Sequence, residues 1–313
     1  GNNDNTPMDT IAGSSGAGGS EGVRVPIISD RQIQEIARKL GLQESLVERE
    51  YHLLVTIEEL RSNGLMELEN PLCLGGGHGV RAYLPQNLQR FSIDLDFYSN
   101  EEDIQSILRE VGRFRTLKLV GYGIESEGRF KRYDSAVPAG LKRCTVALLK
   151  RYDQSFGSGD VEPEFYVTIS NTLSSIKYEL RKPKSYIGID YVKEEVPILS
   201  PALLIAGKIR IIPYRKIKDL YKDIFDIYAL LKLSDSSIDE SEITSALSRA
   251  RAMVRKADLF NRFKETSNVG NARNAIKLPS ESRRRYLDDW RSVNSFVRKE
   301  ALTILERARA LDN

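Results

Sequence analysis

The segment Phe91-Ser92-Ile93-Asp94-Leu95-Asp96-Phe97 constrains this chain more than any other. Phe91, Ile93, Leu95 and Phe97 alternate without a break with Ser92, Asp94 and Asp96. That period belongs to an extended strand, which sends alternate side chains to opposite faces. The four apolar side chains therefore enter a core, and Ser92, Asp94 and Asp96 share the open face. We read the strand as Arg90 to Tyr98. Alternate residues along it stand about 6–7 Å apart, from a rise of roughly 3.3 Å. Two carboxylates so placed repel unless a cation intervenes. The pair Asp94 and Asp96 is thus either a solvated strand face or a holder for a divalent ion, and its hard oxygen ligands suit Mg²⁺.

The elements around this strand follow from hydrophobic period and capping. Residues 1–24 are rich in Gly, Ser, Asn and Asp and read as a flexible tail. Ser29 or Asp30 caps a helix with Ile33, Ile36, Ala37 and Leu40 on one face, stopped at Gly41. Gln43 to Ser62 is a second helix, with Val47, Tyr51, Leu54, Ile57 and Leu60 at helical spacing. Leu72-Cys73-Leu74 is a short buried strand that runs into Gly75-Gly76-Gly77 and a short helix, Val80 to Leu84. A helix at Glu101–Gly112 and strands at Leu117–Val120, Lys142–Leu149 and Phe165–Ser170 follow. Ser200 at N-cap and Pro201 at the first helical position start a helix through Ile211. Pro213 breaks it, another runs from Leu220 to Leu233, and Ile238 to Leu311 reads as several amphipathic helices. The expected fold class is α/β (α+β): a mixed sheet with flanking helices over 25–199, then a helical domain over 200–313.

Composition excludes several classes of function. Cys73 and Cys144 lie in apolar runs, as reduced core thiols do. With His52 and His78 they show no paired ligand spacing for zinc. No apolar run reaches membrane-spanning length and no signal segment opens the sequence, so a cytoplasmic protein without membrane partners is expected. The net charge of +3 over 313 residues does not by itself imply nucleic-acid binding. The helical half is locally basic, however, at Arg249, Arg251, Arg255, Lys256, Arg262, Lys264, Arg273 and the run Arg283-Arg284-Arg285. These are either an RNA-binding surface or solvated helix faces.

Two further groups of residues carry chemistry. A glycine turn after a buried strand is either a tight corner or a cradle whose backbone N–H groups approach a phosphate. An acidic strand within some twenty residues supplies the metal side of a phosphoryl-group transfer. His78, next to the turn, either donates to a phosphate or caps the short helix. Asp223 and Asp226, three apart, share a helix face. With Lys222 they form either a salt-bridged surface or, joined by the mobile cation Lys208 and by Arg215, a second half of the site.

Leu74-Gly75-Gly76-Gly77-His78-Gly79-Val80-Arg81, a short loop and Arg90 to Phe97 resemble the signature of the AbiEii/AbiGii-type nucleotidyltransferase toxins, within the DNA polymerase β-like superfamily. Lys208, Arg215 and Lys222-Asp223-Ile224-Phe225-Asp226-Ile227-Tyr228 resemble that family's later motifs. The resemblance spans roughly Val47 to Leu231. It departs at His78 and Gly75, where the family usually has Ser or Thr and often Lys. It implies transfer of a nucleoside monophosphate from an NTP to an acceptor, with tRNA or other RNA as the expected acceptor and a cognate antitoxin as partner. Asp94 and Asp96 would hold Mg²⁺ or Mn²⁺. Gly75, Gly76, Gly77, His78, Arg81, Ser92 and Arg215 would contact the nucleotide. Lys208, Asp223 and Asp226 would complete the catalytic set, and Glu162 and Glu164 are the nearest candidates for a third strand carboxylate. The rival readings are a transferase acting on a protein or small molecule, and a non-catalytic binding module of the same fold.

Overall fold

The computed structural model describes residues 28–67, 69, 71–92, 94–100, 107, 109–110, 117–124, 129–132, 143–148, 165–170, 176–249 and 254–311. The expected tail over 1–24, most of the expected helix over 101–112, Ile93 and both Glu162 and Glu164 lie outside them.

Helix α1 (Asp30–Leu40) starts in a capping box: Ser29 Oγ accepts from the Gln32 N–H at 3.2 Å, and Gln32 Oε1 accepts from the Ser29 N–H at 2.9 Å. Helix α2 (Glu44–Ser62) buries Val47, Tyr51, Leu54, Ile57 and Leu60, as its period dictates. It also buries Glu50, at 1% exposure. A carboxylate there demands partners, since an unpaired buried charge costs several kcal/mol (roughly).

Among the described residues eight strands form one mixed sheet. They are β1 (Cys73–Gly75), β2 (Leu95–Tyr98), β3 (Leu117–Ile124), β4 (Arg129–Arg132), β5 (Arg143–Leu148), β6 (Phe165–Ser170), β7 (Tyr178–Arg181) and β8 (Val196–Leu199). Their spatial order is β4-β3-β5-β6-β2-β1-β8-β7. The pairs β1–β8 and β2–β6 are parallel, and every other neighbouring pair is antiparallel. The two strands that carry the sequence motifs, β1 and β2, therefore lie side by side at the centre. Strands β4, β7 and β8 are additions to the sequence-based expectation.

The glycine turn forms the start of helix α3 (Gly76–Arg81), several residues before the expected Val80–Leu84. Gly76, at φ +58°, takes the chain from strand to helix in one step, so Gly76 and Gly77 belong to the helix itself and Gly75 to the strand. Strand β2 starts at Leu95 and not at Arg90. The reason lies upstream, where the Phe91 N–H donates to the Lys277 carbonyl at 3.0 Å and Arg90 turns its side chain away to Asp226. The alternation still holds: Phe91, Leu95 and Phe97 are buried, while Ser92, Asp94 and Asp96 are partly exposed.

Beyond β8 the chain is helical. Ser200 Oγ accepts from the Leu203 N–H at 3.3 Å and caps α4 (Pro201–Ile211). Helix α5 (Ile217–Tyr228) continues as a π-turn through Leu233, then come α6 (Glu240–Arg249), α7 (Lys256–Glu265), α8 (Val269–Ala275) and α9 (Trp290–Leu311). Ile205 and Ile209 of α4 join Leu74, Leu95 and Phe97 of the sheet in one apolar core. The helices that follow the sheet thus share one apolar core with the strands that carry the acidic motif. No helix among the described residues is long and apolar enough to cross a membrane.

Candidate active site

The site is built where β1 passes into α3 against β2. Gly75 is the register partner of Asp96. A methyl group at Gly76 would collide with Asp96 Oδ2, and one at Gly77 would lie 2.7 Å from Arg90 Nη2 and 2.8 Å from Ser92 Oγ. Asp96 and Ser92 therefore pack directly over the turn, in space that only glycine leaves open. The first N–H groups of α3 have no partner within the helix. Turn and acidic segment form one continuous surface.

Behind this surface lies a closed ion network. Arg81 donates to Glu50 through Nη1 at 3.0 Å and Nη2 at 2.5 Å, and its guanidinium lies 5.0 Å from the centre of the Tyr186 ring. Ser185 Oγ donates to Glu50 Oε1 at 2.8 Å. Burial alone would raise the Glu50 carboxyl pKa, but the Arg81 guanidinium outweighs it and holds the group far below the usual carboxylate range. His78 is itself buried, and burial together with Arg81 lowers its pKa, so the ring is neutral at pH 7. Its Nε2 accepts from Arg81 Nη1 at 2.9 Å. That fixes the tautomer with hydrogen on Nδ1, which donates to the Asp94 carbonyl at 3.2 Å. His78 thus neither caps α3 nor faces the open side of the turn; it holds the backbone of Asp94. Arg81, expected at the nucleotide, is likewise turned back into the core.

In front lies a second network, on the helices. Arg90 donates to Asp226 through Nε and Nη2, both at 2.7 Å. Lys208 Nζ lies 2.9 Å from Asp226 and 3.0 Å from Asp223. Arg215 Nε donates to the other oxygen of Asp223 at 2.8 Å, with 40% of its side chain exposed. Burial would lower the Lys208 pKa, but Asp226 and Asp223 raise it further, so the ammonium stays charged. Burial would raise that of Asp226, but Arg90 and Lys208 hold it below the usual range. Asp226 is therefore a poor proton acceptor and a firm anchor for cations. The two motif groups meet here: Arg215 lies in the field of Asp96, and half-buried Lys222 in that of Asp94.

Asp94, Asp96, Ser92, Lys208, Arg215, Asp223 and Asp226 are thus brought to one place with Gly75, Gly76 and Gly77, while His78 and Arg81 stand behind it. Sequence reasoning passed over two contributors. The sequence pattern places Arg90 at the start of a strand and Glu50 within a packing helix, and marks neither as part of a site. Among the described residues no three His, Cys, Asp or Glu side chains converge on a metal site. On the strand beside β2, the register partner of Asp96 is Thr168. Much of the basic helical surface is compensated: Arg255, Lys256, Arg262 and Arg273 pair with Asp258, Glu306, Glu265 and Asp288. Arg283, Arg284 and Arg285 are exposed. Cys73 is a buried thiol, its pKa pushed up to about 12 by burial, as an inert core residue should be.

The chain is similar to MenT4, a nucleotidyltransferase toxin from Mycobacterium tuberculosis H37Rv, at 14% identity and a TM-score of 0.48, covering 90% of this chain and 99% of that one. A comparison with curated proteins returned no match. A family model described as "Nucleotidyl transferase AbiEii toxin, Type IV TA system" matches residues 60–303, a span that includes both β1–β2 and the Lys208–Asp226 network. The chain therefore belongs to the AbiEii family of nucleotidyltransferase toxins, of type IV toxin–antitoxin systems.

Proposed function

We propose that the chain transfers a nucleoside monophosphate from an NTP to a hydroxyl of an RNA acceptor, of the tRNA class, and releases pyrophosphate. The observation that carries this reading is the packing of Asp96 and Ser92 over Gly76 and Gly77. Phosphate-facing backbone and metal-holding carboxylate then share one surface. The acceptor class is supported by the exposed Arg283, Arg284 and Arg285.

Asp94 and Asp96 fit a divalent cation. Both are partly exposed carboxylates, side by side on the open face of one extended segment, with the backbone of Asp94 fixed by His78. They would hold Mg²⁺ or Mn²⁺, which supplies charge neutralisation at the phosphates and a lowered pKa for the attacking hydroxyl. The N–H groups of Gly76 and Gly77, with Ser92, grip phosphate oxygens. Lys208 and Arg215 face the charge that develops on the leaving pyrophosphate. Asp223 and Asp226 position these cations, and the depressed Asp226 carboxyl does not take the acceptor's proton. Most of the rate then comes from placement and from fixed charge. A cognate antitoxin, implied by the family, would oppose this activity.

Incubation with each α-³²P-labelled NTP, Mg²⁺ or Mn²⁺ and total tRNA tests the reading. Label on RNA with the wild type and none with Asp94→Ala is the expected result. Label on protein only would favour a protein acceptor. Failure to transfer any label, together with no rise in melting temperature on adding NTP, would overturn the catalytic reading and favour a non-catalytic binding module.

A further inference from the structure

The loop between α4 and α5 joins the front network to a separate polar cavity. Arg215 turns inward to Asp223, whereas the residue before it, Tyr214, is 75% exposed. Among the exposed large apolar side chains that are described, Tyr214 is the most exposed. The loop beneath it is clamped, since Arg262 of α7 donates to the carbonyls of Ile212 and Arg215, on either side of the tyrosine. Tyr214 is thus an aromatic ring presented from a fixed backbone.

Tyr214 and Arg262 line a cavity of about 440 Å³, completed chiefly by Arg255, Asp258, Asn261 and Glu265. That volume lies in the range of small-ligand sites. Its acidic groups are engaged: Arg255 pairs with Asp258 at 3.0 Å and Arg262 with Glu265 at 2.8 Å. What the cavity offers a visitor is an aromatic face, an exposed carboxamide at Asn261 and the highly exposed Arg255 guanidinium at the rim. A ring face stacks on a base. A carboxamide both donates to and accepts from a base edge, and a guanidinium meets the attached phosphate.

We propose that this cavity binds a nucleobase and seats the acceptor strand beside the reaction centre, an inference that rests on the transferase reading above. The base of the NTP offers the same chemistry, and the two sources are separable by experiment. Tyr214→Trp places an indole in the cavity, while the native Trp290 stays buried elsewhere. Its fluorescence is titrated with each NTP, with a short single-stranded RNA and with tripolyphosphate, which has no base. Saturable quenching by RNA and none by tripolyphosphate is the expected result. Quenching by NTP but not by RNA overturns the acceptor assignment. Quenching by neither, or equally by tripolyphosphate, overturns the nucleobase site.

Kinetics gives a second readout. Tyr214→Ala raises the KM for RNA about tenfold, a typical loss for one stacked base, and leaves the KM for NTP unchanged. Tyr214→Phe keeps the wild-type KM. Phe260→Ala, on α7 but outside the cavity, changes neither constant. Because quenching needs no turnover, a protein that transfers nothing would refute the transferase reading while the fluorescence still judged the cavity.

Discussion

The ion networks behind and in front of the Asp94–Asp96 segment both pair carboxylates with cations but are organised differently. Behind, Glu50 and Arg81 balance one another, His78 is neutral, and all three are buried. In front, two carboxylates, Asp223 and Asp226, face three cations, Arg90, Lys208 and Arg215, and the last is substantially exposed. A balanced buried network fixes geometry; one with surplus positive charge and an open side fixes geometry and still attracts an anion. The difference separates scaffold from site more clearly than residue type does.

Four experiments would break or sharpen that contrast, beginning with the largest effect. Lys208→Ala leaves Asp226 paired with Arg90 and Asp223 paired with Arg215, so the protein should stay folded. Its nucleotide transfer should fall by about 10²–10³, the loss expected when one preorganised charge is removed from a reaction centre. Steady-state rates beside a thermal melt would check this, and a large fall in melting temperature with activity retained would reverse the assignment. Glu50→Ala should do the opposite. It leaves Arg81 buried without its partner, at a cost of about 3–5 kcal/mol in urea unfolding, while transfer per folded molecule changes far less.

Gly76→Ala lies between these. Its side chain meets Asp96 from a positive φ, so both strain and displacement of the carboxylate follow. Transfer should drop at least about tenfold and stability by about 1–2 kcal/mol; normal activity in this variant would remove Asp96 from the site. The smallest effect concerns pH. The Glu50 carboxyl is depressed in the folded protein, so its ion pair contributes stability above its ordinary value of 4.5 and loses it as the pH falls further. Acid unfolding of the wild type should therefore steepen below about pH 4.5, and Glu50→Gln should lack that component. A variant with the wild-type acid profile would mean that the Glu50 carboxyl is not depressed in the folded protein.

The sequence announced the elements whose signals are local. The Ser200–Pro201 start of α4, the strand Phe165–Ser170 and the alternation on either side of Asp94 all follow from caps and period. Strands β7 and β8 gave no such signal. Pro197 lies inside β8, where a missing N–H argues against a strand, and Tyr178-Glu179-Leu180-Arg181 is an edge strand with three of its four residues exposed. The motif residues were legible because the chemistry they share needs particular side chains at particular spacings. Glu50 and Arg90 were not. Their partners Arg81 and Asp226 lie 31 and 136 residues away, and no spacing rule connects residues that meet only after the sheet has closed.

The position of Glu50 also bears on how much of this chain must be kept together. The family match begins at residue 60, ten residues after the carboxylate that neutralises Arg81. A fragment trimmed to the matched span would retain every motif residue and still lack most of α2. Arg81 would then stand in an apolar interior with His78 as its neighbour, and the backbone of Asp94 would lose its support. Such a fragment should be recovered only as insoluble or loosely folded material. Supplying residues 28–62 as a separate peptide should restore it, which makes the boundary of the working enzyme a matter of electrostatics and not of motif content.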